Sequence, residues 1–106
     1  MIGTEALSSM KPTAFLINIG RGDIVDEEAL IHALKAGKIA GAALDTFWEE
    51  PLPQDNALWD MENVIITPHV GGISDIYVEQ VLPIIEENLC RFLKGERRSL
   101  INLVER

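Results

Sequence analysis

Apolar and polar positions fall into two kinds of segment along this chain. Short continuous apolar runs occur at Ala14-Phe15-Leu16-Ile17-Asn18, at Ile39-Ala40-Gly41-Ala42-Ala43-Leu44-Asp45 and at Val64-Ile65-Ile66-Thr67. Runs of this length without internal alternation predict strands of a parallel sheet, covered on both faces. The small residues of the second run would let a covering helix or a cofactor come close. Other segments carry helical signals. Met1 to Met10 predicts a short helix with Thr4 as N-cap and Glu5 in its first turn, closed by Pro12, and no strand precedes it.

The next helix is the best marked. Asp26 is its expected N-cap, Glu27 and Glu28 load the first turn with acid, and Val25 and Leu30 stand at the positions of a hydrophobic staple. Lys35 lies in its last turn and Gly37 is a natural residue just past its end. His32 falls off the apolar stripe of this helix and reads as a solvated residue. From Ser74 or Asp75, Val78, Leu82, Ile85, Leu89 and Phe92 form one apolar stripe of a long helix, closed by Lys94-Gly95. Pro83 inside it predicts a bend. Pro51 and Pro53 make the acidic stretch Phe47 to Pro53 a loop, and Asn56 to Asp60 predicts a single turn anchored by Leu58 and Trp59. Leu100 to Val104 is an apolar tail, read as a short strand or a docking segment. The resulting order α-β-α-β-loop-β-α implies an α/β fold with a parallel sheet and right-handed crossovers.

Composition narrows the function classes. The chain's 106 residues suffice for one small domain with a modest core. Its net charge of −8 argues against nucleic acid or an anionic membrane as a partner. No apolar run is long enough to span a bilayer, and no signal segment is legible. The single cysteine, Cys90, excludes an intrachain disulfide and points to a reducing compartment, the cytoplasm, with a packing role for its side chain. One cysteine and two histidines do not make a structural zinc site, so no metal is expected.

Candidate chemistry gathers at one end of the expected sheet. Arg21, Asp45, Glu50 and His69 each lie at or just beyond the carboxyl end of a predicted strand, where the ligand crevice of open α/β sheets lies. An arginine fork can bind a carboxylate or polarise a carbonyl oxygen. A histidine moves protons near neutral pH, and a glutamate bonded to it fixes its tautomer. Asp45 could accept a hydrogen bond from a bound amide. Such a set suits reversible reduction of a carbonyl beside a carboxylate. Taken singly, Arg21 could instead pair with Asp23 or Asp26, Asp45 could cap a turn, and His69 could merely pack; Glu49 reads as solvated.

Asn18-Ile19-Gly20-Arg21-Gly22-Asp23-Ile24-Val25-Asp26-Glu27, Gly41-Ala42-Ala43-Leu44-Asp45-Thr46-Phe47, Glu50-Pro51-Leu52 and Asn63-Val64-Ile65-Ile66-Thr67-Pro68-His69-Val70-Gly71-Gly72 together resemble the D-isomer-specific 2-hydroxyacid dehydrogenases. The resemblance runs from Thr4 to about Gly95. It implies that Arg21 binds the substrate's carboxylate and keto oxygen, that His69 is the general acid/base, and that Glu50 is the acid paired with it. It also implies that Asp45 bonds the nicotinamide carboxamide, and that Ile19, Gly20, Gly71 and Gly72 lie with Arg21 and His69 along the nicotinamide end of NAD or NADP. Glu50 argues against the formate dehydrogenase branch, which carries glutamine there. Thr46, where the family usually has valine, and Pro83 depart from the pattern.

No Gly-x-Gly-x-x-Gly is present to cradle a pyrophosphate. The resemblance therefore implies that residues 1–106 are the carboxyl-terminal portion of a Rossmann-like NAD(P)-binding domain, the second half of its sheet with ~3 strands. The long helix, residues 74–94, would return toward a substrate domain that is missing. Such a fragment is expected to be inactive alone and to bind no cofactor tightly. Its implied partners are a small 2-oxo or 2-hydroxy acid and the missing amino-terminal part. A half sheet and an unpartnered stripe predict self-association as a homo-oligomer. The alternative is a corepressor-like binding module on the same fold.

Overall fold

A computed structural model describes residues 1–104, as two compact units, Met1–Gly72 and the residues from Ile73 onward. The first contains α1 (Thr4–Ser8), β1 (Phe15–Asn18), α2 (Glu27–Lys35), β2 (Gly41–Leu44) and β3 (Val64–Ile66), with 3₁₀ turns at Gly22–Ile24 and Ala57–Asp60. The three strands form one parallel sheet in the order β1-β2-β3. Phe15 is opposite Gly41 at the start of the sheet, and Leu44 is opposite Asn18 and Ile66 at its end.

Alpha2 forms where its signals stand. Asp26 Oδ1 accepts the Ala29 N–H at 3.0 Å, and Val25 and Leu30 are both buried, as a staple requires. At the far end, Gly37 takes φ 62°, which lets its own N–H reach Leu34 O and the Lys38 N–H reach Ala33 O. These two bonds are the Schellman closure that glycine permits at no steric cost. Leu7, Leu30, Ile39 and Leu58 are almost wholly buried against this frame. Each such side chain contributes about 1.5–3 kcal/mol of burial. Leu58 enters the core through its 3₁₀ turn, which Asn56 caps by accepting the Leu58 N–H. Trp59 remains half-exposed, its indole N–H donating to Pro53 O, so one of the two expected anchors of that turn is buried.

Several expectations are corrected. Helix α1 covers only Thr4–Ser8, with Gly3 and not Thr4 as its cap, and it ends well before Pro12. It is too short to bury more than Leu7. Ile2, ahead of it, pairs in parallel with Val25 through Ile2 N–H to Ile24 O and Asp26 N–H to Ile2 O, so the chain enters with a one-residue bridge. Strand β1 alternates: Leu16 and Asn18 are buried, while Phe15 and Ile17 are 66% and 70% exposed. The continuous apolar run therefore does not signify cover on both faces, because α1 and α2 supply core for one face only. Gly41 serves a backbone neighbour: a Cβ there would stand 2.4 Å from Asn63 O.

In the second unit, α3 (Tyr77–Leu93) starts later than Ser74 or Asp75, and Ser74 Oγ accepts the Ile76 N–H ahead of it. The helix continues through Pro83 and closes on Gly95 with the same two-bond motif as α2. None of its residues is buried, and Cys90 is exposed, contrary to the packing role expected of it. The tail forms no strand and is instead the docking segment of the two readings. Asn88 brackets Ile101, donating to its carbonyl and accepting its N–H, and Arg91 donates to Ser99 O. Among the described residues no helix is long and apolar enough to cross a membrane.

Candidate active site

Beyond the carboxyl end of the sheet the ladder continues for one more step. The Asp45 N–H donates to Asn18 O and the Thr67 N–H to Leu44 O. The three segments that leave the strands are thus held side by side, and the candidate residues lie on them. Each is then placed by a specific local device.

Arg21 follows a buried asparagine. Asn18 Oδ1 accepts the Gly20 N–H and its Nδ2 donates to Arg21 O, so one side chain shapes the whole turn. Gly22 then lies against the backbone after β2. A Cβ there would fall 1.8 Å from Phe47 O, a separation no side chain can occupy. Arg21 makes no ion pair with Asp23 or Asp26; one guanidinium N–H goes to Gly20 O at 2.9 Å and the rest of the fork is exposed.

Glu50 and His69 meet. His69 Nδ1 and Glu50 Oε2 are 2.7 Å apart, and Glu50 Oε1 accepts the Phe47 N–H at 2.9 Å. The bond from His69 holds the Glu50 carboxyl below its ordinary range, the Phe47 N–H adds to this, burial opposes it, and the charges of His69 and Arg21 contribute least. Glu50 is thus a carboxylate, so Nδ1 carries the proton and Nε2 is left to face a ligand.

The loop bearing His69 folds around Asp45, which is 4% exposed. Asp45 Oδ1 accepts from Thr67 Oγ1 at 2.5 Å and from the Val70 N–H at 2.9 Å; Oδ2 accepts the Gly71 N–H at 2.8 Å. These donors, the Thr67 hydroxyl foremost, lower the Asp45 carboxyl against the opposing effect of burial. Two of the four acceptor positions of this carboxylate are filled on Oδ1 and one on Oδ2, leaving one on Oδ2 for a ligand donor. His69 itself has φ 53°, a left-handed conformation uncommon outside glycine.

Asp45-Thr46-Phe47 is therefore the hub. Its backbone abuts Gly22 beside Arg21, its Phe47 N–H holds Glu50, and its Asp45 carboxylate holds the His69 loop. Arg21, Glu50 and His69 line one open cleft of about 330 Å³ with Phe47 and Trp48. A second cleft of about 620 Å³ shares Phe47, Glu50 and His69 with the first and is walled by Pro51, Leu52, Trp59, Ile66 and Pro68. Ile19 is exposed at the end of β1, and Gly72 has nothing within 4 Å of where its Cβ would be. Neither takes part in the bonds that tie the others together. No group of metal-ligating side chains occurs among the described residues.

Sequence reasoning missed Asn18, Thr67 and the Gly22–Phe47 approach. Polar residues at strand ends were the available signal for the first two. Thr46 carries a further feature: its Oγ1 is buried with no hydrogen-bond partner. Thr46→Val is expected to raise stability by about 1 kcal/mol, because the lone hydroxyl is desolvated without return. Thermal melts of the two proteins check this, and a lower midpoint for the valine variant would show that the hydroxyl is bonded in solution.

The family model for the D-isomer specific 2-hydroxyacid dehydrogenase, NAD binding domain, matches residues 1–71. A glyoxylate reductase of Korarchaeum cryptofilum is 47% identical over 96 residues, 91% of this chain and 29% of that enzyme. Glyoxylate/hydroxypyruvate reductase B of Pectobacterium carotovorum is 48% identical over the same length and is covered to 30%. The chain spans about 30% of the length of these curated relatives. Among solved structures, a D-isomer specific 2-hydroxyacid dehydrogenase from Xanthobacter autotrophicus Py2, in complex with NADPH and MES, aligns with a TM-score of 0.87 at 42% identity. That alignment covers 98% of this chain and 41% of the other. With strands, hub and polar residues in the arrangement described, this chain belongs to the D-isomer specific 2-hydroxyacid dehydrogenases, in their NAD binding domain.

Proposed function

We propose that these residues are the carboxyl-terminal portion of an NAD(P)-dependent dehydrogenase that interconverts small 2-oxo and 2-hydroxy acids. The Glu50–His69 pair sharing a cleft with Arg21 carries this reading. Nucleotide chemistry fits the residues present: the spare acceptor position on Asp45 Oδ2 suits an amide donor, and the glycines at 71 and 72 leave its approach unobstructed. Ile19 and Gly20 would lie along the same end of the cofactor, together with Arg21 and His69. When bound, NAD(P)H supplies the hydride.

The chain's own side chains supply the rest. Arg21 keeps four of its five N–H donors free after the bond to Gly20 O, enough to grip a carboxylate and the adjacent oxygen. His69 Nε2 gives its proton to the substrate's carbonyl oxygen and recovers one in the reverse direction. Throughout, Nδ1–H stays on Glu50, which keeps the ring oriented. The exposed stripe of α3 supports self-association of this chain.

The test is turnover of NADH or NADPH by the complete protein with a panel of 2-oxo acids, glyoxylate and hydroxypyruvate first, since relatives bear those names. Turnover with at least one is expected. Silence across the panel would favour a binding module on this fold. Isothermal titration of residues 1–106 alone should show no NAD(H) binding tighter than about 1 mM, because the pyrophosphate cradle of such folds is not among them.

A further inference from the structure

We propose that Thr67 is a positioning residue: its hydroxyl closes a clamp on Asp45 that sets the Thr67–Gly71 loop in the one conformation that hands His69 to Glu50. The inference deepens the reading of His69 as the proton carrier. It rests on three donors from a single five-residue segment converging on one buried carboxylate.

The hydroxyl makes the shortest of the three bonds, 2.5 Å against 2.9 and 2.8 Å. The loop must hold His69 at φ 53°, which opposes the intrinsic preference of a residue with a Cβ. Within the loop, the bond from the His69 N–H to Thr67 O closes a turn centred on Pro68 and leaves the φ of His69 unset. The Val70 and Gly71 N–H groups reach the same carboxylate from the formed turn and stabilise it together with the hydroxyl. Thr67 stands before the turn, on the segment already tied to Leu44 O. Its Oγ1 orients the Asp45 carboxylate so that both oxygens face the oncoming amides. Gly71 completes the device from the other side, since a Cβ there would lie 2.8 Å from Asp45 Oδ2.

A catalytic role is not assigned to Thr67, whose hydroxyl is spent on Asp45. Its effect passes through the placement of His69. Losing the hydroxyl removes a hydrogen bond to a charged group and frees the loop to sample other shapes.

The test compares Thr67→Val and Thr67→Ser in the complete protein by amide hydrogen exchange and steady-state kinetics. In the valine variant the Val70 and Gly71 amides should exchange at least ~10-fold faster, as loss of one charge-assisted bond implies. Its kcat should fall by ~10-fold or more while the KM for the 2-oxo acid, gripped by Arg21 and not by this loop, stays within about twofold, the signature of a displaced reacting group. The serine variant keeps the hydroxyl and should restore both. Should the valine variant fail to fold, Gly71→Ala presses the clamp open from its other side and should speed exchange at Val70. Unchanged exchange in the valine or alanine variant overturns the proposal, as does a serine variant as impaired as valine, or faster exchange with kcat intact. If the wild type shows no turnover, the functional reading fails, and exchange alone still decides whether Thr67 sets the loop.

Discussion

With His69→Gln in the complete protein, reduction of a 2-oxo acid is expected to slow by ~10²–10⁴-fold, the usual contribution of a positioned general acid. Glutamine can keep a hydrogen bond to Glu50 but has no proton to give at neutral pH. Affinity for NAD(P)H should change by less than about threefold, because no bond from the His69 side chain supports Asp45 or the glycines. Stopped-flow reduction and cofactor titration separate the two quantities. Equal rates for wild type and variant would remove His69 from the chemistry.

The second large effect is expected at a residue that touches no ligand. Gly22→Ala places a Cβ 1.8 Å from Phe47 O and 2.6 Å from the Trp48 nitrogen, all of it backbone. Neither side can yield without moving the segment that also carries the Glu50 contact. Destabilisation of about 3 kcal/mol or more is expected, at the upper end for overpacking. Molecules that remain folded should show a raised KM for the 2-oxo acid, since Arg21 is the residue displaced. Gly72→Ala is the control: nothing lies within 4 Å of its Cβ position, and it should shift stability by no more than about 0.5 kcal/mol. Denaturant melts of both variants decide the matter, and similar midpoints would refute the close approach at Gly22.

Much of this was legible before any coordinates. The three strands lie within the apolar runs, and the α2 cap, staple and closing glycine are where local chemistry requires them. Such signals act over four or five residues and depend on little else. Cover of the sheet faces is different in kind. Phe15-Leu16-Ile17 reads as doubly buried, yet α1 and α2 bury only alternate residues, because an apolar run records what a strand can pack against and not what is present. The site shows the same division. Arg21, Glu50 and His69 were singled out from residue type and position at or beyond strand ends, and they line one cleft. Asn18, Thr67 and the Gly22–Phe47 contact were not, since each acts on a neighbour brought close only by the parallel register. Asp45 was legible as a polar residue in the right place, but its bonds to the His69 loop arise from residues 22 to 26 positions away.

Tying Arg21, Glu50 and His69, the groups proposed to react, to the segment after β2 also bears on motion. Arg21, Glu50 and His69 belong to the same compact unit, Met1–Gly72. If that unit swings as a rigid body during a catalytic cycle, the distance from the anion-gripping fork to the proton donor remains the same at every angle. Opening the crevice to admit substrate would then leave the alignment of the acid intact, and closure would need to deliver only the substrate.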